Sequence, residues 1–280
     1  MEKIMNDVRV PTVLYHYTGL EGLLGILDKN EIWTSNIHYL NDSKEFNLAI
    51  ECAKQTLSSE IDKAGVVASK DSLIKGVSDK FEQFENLSIH VASFSEEEDL
   101  LSQWRSYCPS GAGYAVGFDH GRLGSIAKRK KYNLRPCAYT HVEHTALIQP
   151  IISRFIHATI KLNKEQIEQK DPSLDKALRN LIADFIQVAP MIKHSSFKEE
   201  REWRLISDPF PTNHPMWSVR PGKSMLIPYS PFQLDDAICK IVVGPTSNQY
   251  LASSSVASAL NKYGIKGWSV SLSNSSYHDW

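Results

Sequence analysis

Short β-branched and aromatic runs alternate along this chain with leucine-rich segments at helical spacing, and the two periods predict its elements. Residues 12–17, TVLYHY, read as a strand, after which Leu20, Leu23, Leu24 and Leu27 recur on one helical face. Thr18 and Glu21 supply a T-x-x-E capping box for that helix, and Asn30 a stop. EIWTS (31–35) predicts a second strand, and Asn41-Asp42-Ser43 opens a helix running to about Ser58. Helix is predicted over 71–85 and a buried strand over 88–95, SIHVASFS. Ser95 and Glu98 form a second capping box before the helix LLSQWRSY. A turn and strand follow over 109–119, and another strand over 134–140.

Two long helices are expected over 144–168 and 173–194, broken at Asp171-Pro172. The last third reads as strands over 200–207, 223–229 and 237–245, a helix at about 248–262 and a strand over 267–272. Strands near both ends with helices between them predict an α+β fold. The expected architecture is one domain over 1–280, with a mixed, mainly antiparallel sheet, continuous or split, flanked by helices. The helical stretch 144–195 is expected as a lobe inserted into it.

Composition narrows the functional classes. Hydrophobic residues make up 42% of the 280 residues, enough for a packed core. With 31 basic and 32 acidic residues the formal net charge is −1, so no global field points to nucleic acid or membrane. Cys52, Cys108, Cys137 and Cys239 lie far apart without metal-ligand spacing and read as reduced thiols. The N-terminal residues lack an apolar targeting core, and no run approaches the ~18 apolar residues of a membrane span. A cytoplasmic protein is the expectation.

Three segments place polar residues at strand ends. In Tyr15-His16-Tyr17-Thr18, a histidine lies two residues before a predicted helix N-terminus, where free N–H groups can receive a phosphate. A hydrogen-bonded core histidine is the plainer reading. In Ser93-Phe94-Ser95, the period of two puts both hydroxyls on one face; Ser95 also serves as a cap. Just beyond, Trp104 and Tyr107 continue a helical stripe that reads as core. In 199–204, EEREWR, a strand would place Glu200, Glu202 and Arg204 on one face. That face is either a solvated ion-paired surface or a paired-carboxylate site tuned by Arg204. The one strong basic cluster spans Lys128 to Arg135; it reads as a solvated loop or as a nucleic-acid contact. His141 and His144 lack a third ligand, so no metal site is expected there.

Taken together, LYHYTGLEGLLGIL, HYLNDSKEF, SFSEEEDLLSQWRSY, GYAVGFD, FKEEREWRL and IVVGP resemble a bacterial family known as domain of unknown function 2971. More distantly, the order His16, Ser93-Phe94-Ser95, Glu200-Arg201-Glu202 is similar to the three-part signature of ADP-ribosyltransferases. That resemblance implies NAD as substrate and transfer of ADP-ribose to a protein, a nucleic acid or water, as in a toxin or phage-defence effector. It implies Glu202 as the group stabilising the ribosyl cation and Glu200 as the activator of the acceptor. His16, with Tyr17 and Thr18, would hold the adenosine side. Ser93 and Ser95 would hold Glu202 and the nicotinamide, Arg204 would set the carboxylates, and Trp104 or Tyr107 would stack on a ring. Two other readings stand beside it. One is a metal-dependent nuclease using Asp42, Glu200 and Glu202, with the Lys128–Arg135 cluster gripping phosphates. The other is a non-catalytic sensor or interaction module of a bacterial defence system.

Overall fold

The computed structural model describes residues 10–40, 43–65, 70–82, 88–108, 113–169, 171–210, 217–222 and 224–275. The first half comprises β1 (Val13–Gly19), α1 (Leu20–Lys29), β2 (Glu31–Asn36), α2 (Ser43–Ala64), α3 (Lys70–Glu82), β3 (His90–Ser95), α4 (Leu101–Tyr107) and β4 (Gly113–Asp119). The second comprises α5 (His120–Arg129), β5 (Tyr132–Pro136), α6 (His141–Thr159), α7 (Lys164–Glu168), α8 (Pro172–Val188) and β6 (Glu202–Ser207). It closes with β7 (Ser218–Pro221), β8 (Leu226–Gln233), β9 (Ile238–Val243), α9 (Gln249–Lys262) and β10 (Ser269–Leu272).

The fold is α+β, built on a ten-stranded sheet whose main path runs β10-β9-β4-β1-β3-β2-β8-β7. Every pairing between these strands among the described residues is antiparallel except β9 with β10. β6 takes one whole edge of β3, from Val91↔Ile206 to Ser95↔Glu202, and β5 joins beyond it. The other edge of β3 is divided: β2 pairs at His90 and Val91, β1 only at Ser95. β1 and β2 therefore diverge and leave a notch opposite Ala92–Phe94.

Strand alternation sends residues to two faces with separate cores. Leu14, Ile32, Ala92, Phe94, Trp203 and Leu205 pack beneath α1, α5 and α9. On the opposite face, Val91 and Ile206 lie under a helical lobe formed by α2, α3, α6 and α8. Tyr15, Tyr17, Ala115 and Val242 pack there against Trp104 and Cys108.

Several local expectations change in tertiary context. Thr18 is not a helix cap: it continues β1 opposite Tyr114, and α1 starts after Gly19 without a side-chain cap. Nor does Ser95 cap α4, whose N-cap is Leu100; its hydroxyl instead accepts from the Glu97 amide at 3.0 Å. Residues 120–129, which carry no helix signal of the kind used above, form a helix capped by the Asp119 carboxylate accepting from the Arg122 amide. The helix expected over 144–168 starts at the capping box of Thr140 and Glu143 and ends at Thr159, before the short α7. Glu200 closes a 3-10 helix (Ser195–Glu200), Arg201 takes the left-handed conformation at φ 44°, and the strand begins only at Glu202.

Candidate functional site

Three chain-distant motifs meet across adjacent strands. Tyr15 of β1 pairs with Ser95 of β3, and Ser95 pairs with Glu202 of β6, so the segments form one row across the sheet. Two strand spacings put the outer backbones roughly 10 Å apart. The side chains divide between the faces. Ser93, Ser95, Glu202 and Arg204 share the face of Tyr15, while His16 points to that of Phe94, its ring 6.0 Å from the phenyl ring.

His16 nevertheless remains connected to the row through the notch. Its Nδ1 lies 2.9 Å from the Ser93 carbonyl, a backbone acceptor left without a ladder partner where β1 and β2 part. A carbonyl only accepts, so Nδ1 carries the proton there. Burial lowers the imidazole pKa below its ordinary value, which keeps the ring neutral and leaves Nε2 as an acceptor.

Glu202 is the centre of a buried ion network. It is 4% exposed; Arg204 Nε donates to Oε1 at 2.7 Å, and Lys193 Nζ to Oε2 at 2.5 Å. Lys193 also reaches Glu200 Oε2 at 2.8 Å, and Arg204 donates to the Pro190 carbonyl at 2.7 Å. Burial alone would raise the Glu202 carboxyl; the Arg204 and Lys193 charges outweigh it and hold the group at about 2. Lys193 is raised, because Glu202 and Glu200 outweigh its own desolvation. Its position is fixed by the backbone: the Lys193 amide donates to the Ala138 carbonyl at 2.9 Å, beside the bridge Ala138↔Ile192. The Tyr139 hydroxyl accepts from the Glu202 amide at 2.7 Å. The sequence reading missed Lys193 and Tyr139. Both lie in irregular segments with no motif spacing, and only the fold brings them to Glu202.

The other sequence candidates have structural partners. Ser95 Oγ donates to the Glu200 carbonyl at 2.7 Å, tying the end of β3 to the segment that delivers Glu202. Tyr17 Oη donates to the Glu97 carbonyl and accepts from the Leu100 amide, bracing the 96–100 turn. Trp104 is buried edge-on to Tyr17 and donates to Asp99 at 2.7 Å, whereas Tyr107 is 41% exposed. The acids of that turn are similarly held: Glu96 and Glu97 by Arg201, Glu98 by Tyr15 and Lys240. In the basic cluster, Lys128 and Arg129 end α5, Arg129 pairs with Asp235, and Tyr132 is buried. Among the described residues no group of three or more His, Cys, Asp or Glu side chains is disposed to hold a metal; Asp42 lies outside them. No described helix is long and apolar enough to cross a membrane.

No curated protein shows significant sequence similarity to the chain. The solved structure of Thermus sp. 2.9 DarT in complex with ADP-ribosylated ssDNA is similar at 11% identity, with a TM-score of 0.34 over 94% of each chain. The segment from Gln103 to Leu205, which contributes Lys193, Glu200, Glu202 and Arg204 to the buried network, matches the model of the family described as protein of unknown function (DUF2971).

Proposed function

We propose that the protein cleaves the bond between nicotinamide and ribose in NAD and passes ADP-ribose to an acceptor. The observation that carries this reading is the register row: the His16, Ser93-Ser95 and Glu202 segments, far apart in sequence, lie on three consecutive strands at a notch in the sheet. In the reaction the C1′–N1 bond breaks and nicotinamide leaves as a neutral molecule with the bonding electrons. The acceptor then bonds to C1′ and gives up its proton. Such a step needs no acid at the leaving group, but it needs a fixed negative charge beside the ribosyl cation.

Glu202 suits that role because its partners keep it ionised throughout the physiological range. Glu200, less buried and held by Lys193, is the candidate acceptor of the departing proton. His16 Nε2, as a neutral acceptor, suits a ribose hydroxyl. Ser95 acts through the backbone of Glu200 as a positioning residue. The nuclease reading is less favoured, because a divalent cation between Glu200 and Glu202 would have to displace Lys193 Nζ.

Incubation with NAD labelled in the adenylate moiety, with protein, DNA, RNA or water as acceptor, tests the proposal. Nicotinamide release that falls about a hundredfold or more in Glu202→Gln, assayed well below the variant's melting temperature, is the expected result. Wild-type protein that releases no nicotinamide with any of the four acceptors refutes it.

A further inference from the structure

The wing formed by β2, β8 and β7 carries a feature that the buried network does not use. Alternation places Trp33, Ser35, Tyr229 and Arg220 on one face, with Ser35 opposite Tyr229 and Tyr229 opposite Ser218. This is also the face of Val91, Ser93 and Glu202. The Trp33 and Tyr229 rings lie 4.4 Å apart and tilted by 31°, and Trp33 is 39% exposed. Lys29 Nζ lies over the indole, 5.7 Å from its centroid. Arg220 is half-buried and donates to Ser35 Oγ at 3.1 Å; no described carboxylate forms an ion pair with it. The one acid of the wing, Glu31, is already committed to the Trp33 indole and to Gln233, each at 3.0 Å. It stands four residues from Ser35 along β2, roughly 13 Å from the Arg220 end.

We propose that this face binds a single-stranded nucleic acid, with bases against Trp33 and Tyr229 and a backbone phosphate on Arg220. A guanidinium kept partly out of water with no carboxylate paired to it among the described residues is unfavourable by itself, and a phosphate supplies the charge in bidentate geometry. The part-exposed Trp33 indole and half-buried Tyr229 phenol beside it offer π-surface to any unstacked base, whereas a duplex hides its base faces. Four residues along β3 and two strand spacings separate Ser35 from Glu202, roughly 16 Å, with Val91 between them under the helical lobe. That the strand is also the ADP-ribose acceptor rests on the function proposed above; its binding does not.

Fluorescence anisotropy with labelled oligothymidylate, oligouridylate and a duplex of the same length, using the whole chain without NAD, measures the binding directly. Either single strand is expected to bind more tightly than the duplex, and the DNA and RNA arms identify the sugar preferred. Trp33→Ala and Tyr229→Ala are expected to weaken binding about tenfold each, with Trp33→Phe restoring most of it. Arg220→Gln is expected to reduce the slope of log affinity against log salt by about one. Charge removal at Lys128, Lys130 and Lys131 is expected to change affinity only a few-fold. Absence of binding, equal preference for duplex, or loss in the lysine variant but not in Trp33→Ala and Arg220→Gln overturns the assignment. Nicotinamide release, scored separately, distinguishes failure of this surface from failure of the NAD chemistry.

Discussion

Glu202→Gln removes one charge from the buried ion network of Glu202, Arg204, Lys193 and Glu200 and so tests that network by its stability. In the native protein the carboxylate receives bonds from Arg204 at 2.7 and 3.3 Å and from Lys193 at 2.5 Å. A neutral amide in its place takes the Glu202 charge away from an ammonium and a guanidinium that are each about 3% exposed. Breaking a buried pair from one side typically costs about 3–5 kcal/mol. At about 2–3 °C per kcal/mol for a chain of this size, the melting temperature should fall by roughly 6–15 °C. The sign with pH is fixed by the lowered carboxyl pKa. The stabilisation is fully present above the unfolded value near 4.3 and is lost as pH falls toward about 2. Thermal unfolding of wild type and variant at pH 7 and pH 3 should therefore show a wide gap that narrows in acid. Adding Lys193→Met should recover part of the loss, since the second buried cation goes too. A variant as stable as wild type at pH 7, or a gap unchanged by acid, would refute the network's role.

Three further outcomes are expected. His90 is fully buried with both ring nitrogens unbonded, and burial lowers its pKa to about 4. The unfolded chain therefore binds the proton first, and stability should drop by about 2–3 kcal/mol between pH 6.5 and 4.5; urea titrations should show His90→Leu spared most of it. A methyl at Gly113 would stand 2.2 Å from Cys108 Cβ and 2.4 Å from its Sγ, so Gly113→Ala should destabilise by about 1–3 kcal/mol in denaturant unfolding. Cys108 is buried with its thiol pushed up to about 12, and Cys52 is buried and raised; disulfide-exchange reagents should modify both only on unfolding, after Cys137 and Cys239.

The sequence by itself determined the fold class and most element positions, because apolar spacing reports which face each segment must bury. It marked the strands carrying His16, Ser93 and Glu202 for the same reason. Local pattern misled where a long-range partner outweighed it. Thr18 carries a cap signal, yet pairing with Tyr114 draws it into β1. Ser95 and Glu98 spell a capping box, yet their bonds go to the Glu97 amide, the Glu200 carbonyl, Tyr15 and Lys240. Glu200 alternates with Glu202 on paper, but a left-handed Arg201 breaks the strand between them. Only the tertiary structure decided that β1 and β2 part along one edge of β3, that His16 fills the notch from the far face, and that Lys193 bridges both carboxylates. Such pairings depend on distances between segments tens of residues apart, and no periodicity within one segment encodes them.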